Sequence, residues 1–308
     1  ILTHSVNLVK PKMAIVGDEL VSNFSEVLAD LDIDSNKLFW FADEDTQKNP
    51  GTPPAGYRNL ATEISPQPTY NPATTNQNYR NDGLFYIYTS GTTGMPKAAI
   101  FSHGRWMKAY GAFGYTMQMG KTDVIYVTLP FYHATAMCVC WGSALAGASG
   151  VAMRRKFSAR EFWEDCRKYR ATAIGYVGEL CRYLNEVPAK PIDRDHLVRK
   201  AIGNGLRPGI WMPFKKRFGI EQVLELYASS EGNIGFSNIF NFDNTVGFSP
   251  LPYAIVEYDK ENEQPVRGKD GFMKKVKKGE SGLMVAQITD KTPFDGYTDP
   301  AKKEASIL

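Results

Sequence analysis

Apolar runs and amphipathic segments take turns along most of this chain. Residues 12–17 and 37–42 read as core strands. Between them, 18–31 reads as a helix with apolar Leu20, Phe24, Val27 and Leu28 near helical spacing. Residues 43–82 are rich in Pro, Asn, Thr and Gln and lack sustained periodicity, which predicts a surface loop. An apolar, aromatic run at 84–88 predicts a buried strand, with 98–101 as its return partner. The alternation then becomes regular. Helices are predicted over 103–118, 135–145, 158–169, 178–184 and 208–218, and strands over 123–129, 150–153, 171–177, 198–203 and 223–228.

Helices and strands that alternate in this way predict an α/β fold, with layered, largely parallel sheets and helices on both faces. Beyond Gly235 the pattern changes. Residues 236–240, 254–258, 271–276 and 282–288 read as strands separated by Gly, Pro and Asn without helices. An antiparallel, barrel-like β region is therefore expected to begin near Val246. The expected organisation is an α/β core over 1–245 and a β-rich subdomain over 246–308, with no internal repeat.

Tyr86-Ile-Tyr-Thr-Ser-Gly-Thr-Thr-Gly-Met-Pro-Lys97 runs from a strand into a hydroxyl-rich glycine turn that ends in a lysine. Thr89, Ser90, Thr92 and Thr93 crowd hydroxyls around Gly91 and Gly94. Glycines let backbone approach a polyanion, hydroxyls and N–H groups donate to its oxygens, and Lys97 adds a compact positive charge. The Walker pattern is not met, because Met95 and Pro96 precede the lysine and Ala98 follows it. A P-loop NTPase is disfavoured. Standing alone, the turn is also compatible with a plain hairpin.

The same stretch is similar to the phosphate loop of the adenylate-forming superfamily, which includes acyl-CoA synthetases, luciferases and peptide-synthetase adenylation domains. Tyr227-Ala-Ser-Ser-Glu-Gly232 resembles that superfamily's Tyr-Gly-x-Thr-Glu motif, with Ala228 and Ser230 as small departures. Gly203-Asn-Gly-Leu-Arg-Pro208 and the segment from Glu231 to Asn241 resemble a narrower branch, the fatty acid transport proteins and very-long-chain acyl-CoA synthetases. Relatives extend beyond both Ile1 and Leu308 and carry a small mobile C-terminal domain. Gly296-Tyr-Thr-Asp-Pro300 looks like the segment just ahead of the family's Thr-Gly-Asp motif.

The resemblance implies an AMP-forming acid-thiol ligase. A fatty acid carboxylate would attack the α-phosphorus of ATP, pyrophosphate would leave, and coenzyme A would then displace AMP. On that reading Thr89, Ser90, Gly91, Thr92, Thr93, Gly94 and Lys97 would grip phosphates, and Glu231 with Thr92 would hold Mg²⁺. Lys97, Ser230 and Glu231 would carry the chemistry. Gly203, Gly205, Leu206, Tyr227, Ser229 and Ser230 would line adenine and AMP. His133, Met137, Trp141 and Tyr176 would wall an acyl tunnel, with ordinary core or structural roles as the alternative for each. Arg207 would meet phosphate or cap the next helix. The ribose-binding aspartate and C-terminal lysine of relatives have no counterpart in this sequence, so the chain by itself is expected to adenylate poorly or not at all. Two other readings stand beside this one: a ligase for an aromatic, bile or amino acid, and a lipid-uptake protein with a vestigial nucleotide site.

Composition narrows the field further. A formal charge of +3 with scattered basic residues gives no reason to expect a nucleic acid partner. Lys274-Lys-Val-Lys-Lys278 is the one basic run; it reads as a solvated hairpin face and is also compatible with peripheral membrane contact. Cys138, Cys140, Cys166 and Cys181 lack metal or redox spacing, which predicts buried reduced thiols and a cytoplasmic setting. Residues 136–153 carry no charge over the length of a membrane span, yet Gly142, Gly147 and Gly150 break them into a buried helix, a turn and a strand.

Overall fold

The computed structural model describes residues 1–42, 52–89, 94–304 and 307. It divides into two compact units, residues 1–100 with 296–308 and residues 101–295.

In the first unit, β1 (Ala14–Gly17), β2 (Leu38–Phe41) and β3 (Arg58–Asn59) form a parallel three-stranded sheet. Val16, Leu38, Trp40 and Tyr57 make its core, and Phe24 and Leu28 pack against them. The helix predicted over 18–31 is broken into a 3₁₀ turn, a short α-helix at Val21–Val27 and a second 3₁₀ turn. Val21, Ser22, Asn23 and Ser25 are weak helix formers, and the Asp18 carboxylate is occupied by the Trp40 indole N–H at 2.7 Å. The expected loop over 43–82 holds β3 and a helix at Leu60–Ile64 in its described part. Asn59 caps that helix through Oδ1, which accepts from the Ala61 amide at 3.0 Å. A helix at Leu2–Val9 was not anticipated.

β4 (Gly83–Thr89) pairs with β5 (Lys97–Ser102) in a two-stranded sheet, the strand-and-return arrangement predicted around the glycine turn. The expected burial of 84–88 is corrected: only Ile87 is buried, while Leu84 and Tyr86 are exposed. A two-stranded sheet leaves one face to solvent, so an aromatic run does not imply two-sided burial.

In the second unit, β6 (Val124–Val127), β7 (Gly150–Met153), β8 (Ala173–Val177), β9 (Lys200–Asn204) and β10 (Gln222–Ala228) are parallel, and β11 (Gly235–Ser237) closes one edge antiparallel. The order is β11-β10-β9-β8-β6-β7. Successive strand residues serve opposite faces. Tyr126, Ile174, Ala201 and Val223 pack with Phe162, Cys181, Trp211 and Phe214, whereas Ile125, Ala173, Ile202 and Leu224 pack with Met117, Ala136, Val139 and Ala144. Helices therefore cover both faces, as predicted.

The uncharged stretch around 136–153 is a π-helical turn at Thr135–Cys140, a helix at Trp141–Gly147 and β7. No helix among the described residues is long and apolar enough to cross a membrane. All four cysteines are buried and free, and burial pushes the Cys138 and Cys140 thiols up to about 12.

Past β11 the structure is antiparallel, with β12 (Tyr253–Val256), β13 (Tyr258–Asp259), β14 (Gln264–Pro265) and β15 (Leu283–Ala286) pairing as β12 with β15 and β13 with β14. The strand predicted over 236–240 ends at Ser237 because Asn238, buried, turns its amide onto the carbonyls of Val223 and Phe242. The strand predicted over 271–276 is reduced to isolated bridges, among them Lys275 with Val256, and Lys274, Lys275, Lys277 and Lys278 are all exposed.

Candidate functional site

Open parallel sheets place ligands beyond the carboxyl ends of their strands. Here the end of β9 lies beside the middle of β10, with Gly203 opposite Glu225, and β10 runs on to Ala228. β9 leaves the sheet through Gly205, whose φ of 83° suits glycine, and continues to Leu206. Glu225 is 3% exposed and holds this turn. Its Oε1 accepts from the amides of Gly205 and, at 3.2 Å, Leu206, and its Oε2 accepts from the Tyr176 hydroxyl on β8. Burial pushes the Glu225 carboxyl up, against the opposing pull of these three donors, and burial lifts the Tyr176 phenol well above its usual range.

The glycines of this corner answer to the protein's own backbone. A Cβ on Gly203 would overlap the Tyr176 carbonyl, and one on Gly178 would overlap the Gly205 carbonyl oxygen. Gly178→Ala is accordingly expected to destabilise the fold by about 2–3 kcal/mol, since backbone cannot swing aside as a flexible side chain would. A lowered denaturant midpoint checks it; an unchanged one refutes the close packing.

Beyond β10, Tyr227 is half exposed and stands edge-on to Phe236, with ring centroids 6.3 Å apart. Ser229 is exposed, and Ser230 and Glu231 are half-buried. The Ser229 hydroxyl accepts from the Gly232 amide at 2.9 Å, closing a tight turn. Arg105 reaches this turn from the helix at His103–Met117. Its guanidinium donates to the carbonyls of Ser229 at 3.1 Å, Glu231 at 3.2 Å and Gly232, and lies 5.0 Å from the Phe101 ring centroid. Burial lowers its pKa, while the negative charges of Asp295 and Glu231 raise it. Ser102 caps the same helix by accepting from the Arg105 amide at 3.3 Å, and donates to Asp295 at 2.8 Å. Asn233 ties the far side of the loop to the carbonyls of Gln287 and Thr292, both at 3.1 Å.

In the other unit, Ser90, Gly91, Thr92 and Thr93 lie outside the described residues. Thr89 ends β4, Gly94 has a φ of 82°, and Lys97 opens β5. The chain at 296–298 runs antiparallel to β5, with the Ile100 amide on the Gly296 carbonyl at 2.9 Å and the Thr298 amide on the Ala98 carbonyl at 3.0 Å. That pairing brings the Lys97 ammonium 5.4 Å from the Tyr297 ring centroid. The Tyr88 hydroxyl donates to the Ser5 carbonyl at 2.6 Å, and His4 Nε2 meets the Pro96 carbonyl at 3.1 Å.

The tunnel candidates separate. His133 is exposed against Tyr132, its carbonyl accepts from the Met137 amide at 3.1 Å, and Trp141 stands edge-on to Trp106 at 5.6 Å. Tyr176 is not with them. It is buried in the core on the opposite face of the sheet from Ala136 and Val139, its hydroxyl taken by Glu225. Arg207 begins the helix at Pro208–Phe218 through its carbonyl, which accepts from Ile210 and Trp211, and its exposed guanidinium is 3.8 Å from Glu179.

Among the described residues no three His, Cys, Asp or Glu side chains gather as a metal site. Glu231 as a lone carboxylate suits Mg²⁺, which commonly binds through one or two carboxylates together with substrate phosphates and water. Tyr227 offers an exposed ring beside a rigid backbone turn, which suits a planar base.

A family model described as AMP-binding enzyme matches residues 2–273. The chain is 40% identical over 309 residues to the medium/long-chain-fatty-acid–CoA ligase FadD6 of Mycobacterium tuberculosis, covering all of this chain and 49% of that protein. It is 47% identical over 220 residues to long-chain fatty acid transport protein 2 of Rattus norvegicus, covering 69% of this chain and 35% of that one. The match thus spans about half or less of the length of these relatives. Its fold superposes on ATP-bound MatB from Rhodopseudomonas palustris with a TM-score of 0.76 at 19% identity, over all of this chain and 56% of that one. The N-terminal domain of FACL13 from Mycobacterium tuberculosis gives 0.71 at 17% identity, over all of this chain and 71% of that one.

Proposed function

The chain belongs to the AMP-binding enzyme family, and from that premise we propose that the full-length protein is an ATP- and Mg²⁺-dependent fatty acid-CoA ligase for long or very long chains. The observation that carries the nucleotide half of this reading is the pairing of Gly203, near the carboxyl end of β9, with Glu225 inside β10. The Gly205–Leu206 turn is thereby held beside the strand that delivers Tyr227 and the Ser229–Gly232 loop. The acyl half rests on likeness to fatty acid ligases and fatty acid transport proteins.

Tyr227 stacks on adenine, with Gly203, Gly205 and Leu206 as backbone floor. Ser230 donates to the α-phosphate. Thr89, Ser90, Gly91, Thr92, Thr93, Gly94 and Lys97 hold the β- and γ-phosphates. Glu231 would serve as a ligand for Mg²⁺, and Thr92 keeps its expected role as a metal-binding hydroxyl; the ion would supply neutralisation of phosphate charge. A carboxylate is a poor nucleophile towards a polyanion, so these residues act by charge neutralisation and alignment. A fatty acid oxygen attacks the α-phosphorus and the bond to pyrophosphate breaks. The thiolate of coenzyme A then attacks the acyl carbon, and AMP leaves with the oxygen. His133, Met137 and Trp141 border the acyl chain.

Pyrophosphate release by the full-length protein, assayed over fatty acids of increasing length, tests this. Turnover dependent on ATP and coenzyme A and favouring long chains is expected. Turnover only with aromatic, bile or amino acids would move the acid assignment, and none with any acid would leave a lipid-uptake role with a vestigial site.

A further inference from the structure

We infer that Arg105 is a positioning residue for Mg²⁺-ATP, acting through the backbone of the Ser229–Gly232 loop; this rests on the nucleotide reading above. Three carbonyls from four successive residues converge on one guanidinium. Carbonyl dipoles aimed at one point repel each other, so a loop with this shape depends on the cation at its centre. The planar fork can meet several acceptors at once, and its position over Phe101 fixes it from the other side.

The loop so gathered carries Ser230 and Glu231. Arg105 grips the Glu231 carbonyl and leaves the carboxylate of the same residue to be presented by the turn. Three of its five N–H donors go to the backbone of this loop, so Arg105 acts on the loop without having to touch the nucleotide. Its effect should fall on whatever Glu231 holds. On the opposite side the loop is braced by Asn233, and the Gly232 amide by Ser229, so losing Arg105 loosens one wall without releasing both.

This gives a signature that a purely structural role would not produce. In the full-length protein, ATP affinity measured by titration calorimetry is compared with Mg²⁺ present and with the metal chelated, for wild type, Arg105→Ala and Arg105→Lys. Outer-shell partners of a metal ligand typically change metal affinity about 10–100-fold, and a weakening of Mg²⁺-ATP binding of that order is expected for Arg105→Ala. Metal-free ATP binding should stay near wild type. Arg105→Lys should fall between, because a point charge cannot meet three carbonyls together.

Wild-type Mg²⁺-ATP affinity in both variants overturns the inference. Equal weakening with and without metal, or unfolding of both variants, overturns it in favour of a general scaffold role. If only Arg105→Ala unfolds, Arg105→Lys decides by the same comparison. A wild-type protein that binds no Mg²⁺-ATP would instead sink the nucleotide reading itself, which keeps the two failures apart.

Discussion

Glu231→Ala in the full-length protein is expected to lower Mg²⁺-dependent pyrophosphate release by roughly 100-fold or more, equivalent to about 2.7 kcal/mol of transition-state stabilisation. The carboxylate is assigned to the metal that neutralises the departing pyrophosphate, and neither water nor the methyl group of the substituted side chain supplies a fixed negative charge there. The fold should survive. Glu231 is half-buried, and the part of it that Arg105 holds is the backbone carbonyl, which alanine retains. Stability within about 0.5 kcal/mol of wild type is therefore expected, as for other substitutions away from the core. Raising Mg²⁺ should recover part of the rate if the side chain binds metal. Full activity at ordinary Mg²⁺ would remove Glu231 from the mechanism, and a matching loss of stability would recast it as structural.

The parallel sheet was legible in the sequence because strands buried on both faces leave continuous apolar runs. Those at 123–129, 171–177, 198–203 and 223–228 became β6, β8, β9 and β10 within a few residues. The same rule misled at 84–88, where an equally apolar run lies in a two-stranded sheet and only Ile87 is buried. Tyr227 and Glu231 are singled out by motif. Arg105 is not, because a side chain that bonds to backbone more than a hundred residues away leaves no periodic or compositional trace. Gly203 also has a structural reason to be glycine that the sequence does not show: a Cβ there would meet the Tyr176 carbonyl. Tyr176 reads from sequence as either a tunnel wall or ordinary core, and the alternation of faces along β8 puts it in the core. Glu225 did carry a signal. A lone acid inside Val223-Leu-Glu-Leu-Tyr227 is costly to bury unless something donates to it.

That carboxylate should therefore be the most sensitive polar position in the sheet. Glu225→Ala leaves the Gly205 and Leu206 amides and the Tyr176 hydroxyl without their acceptor inside the fold. At about 1–3 kcal/mol for each stranded group, partly relieved by water entering the gap, a loss of about 4 kcal/mol is expected. Glu225→Gln should cost about 1–2 kcal/mol, because its carbonyl can still serve the two amides while the Tyr176 hydroxyl rotates to accept from its NH₂. The two variants should also differ from wild type in pH dependence. Burial holds the Glu225 carboxyl above its ordinary range in the fold, so on raising pH the unfolded chain gives up this proton first. Wild-type stability should thus contain a component that is full below the ordinary glutamate range and is lost as pH rises through the folded value. Glu225→Gln should lack that component. Denaturant midpoints across acid pH test both statements: a midpoint for Glu225→Ala equal to wild type would mean that the turn at Gly205 stands without its carboxylate, and the floor proposed for adenine would not depend on Glu225.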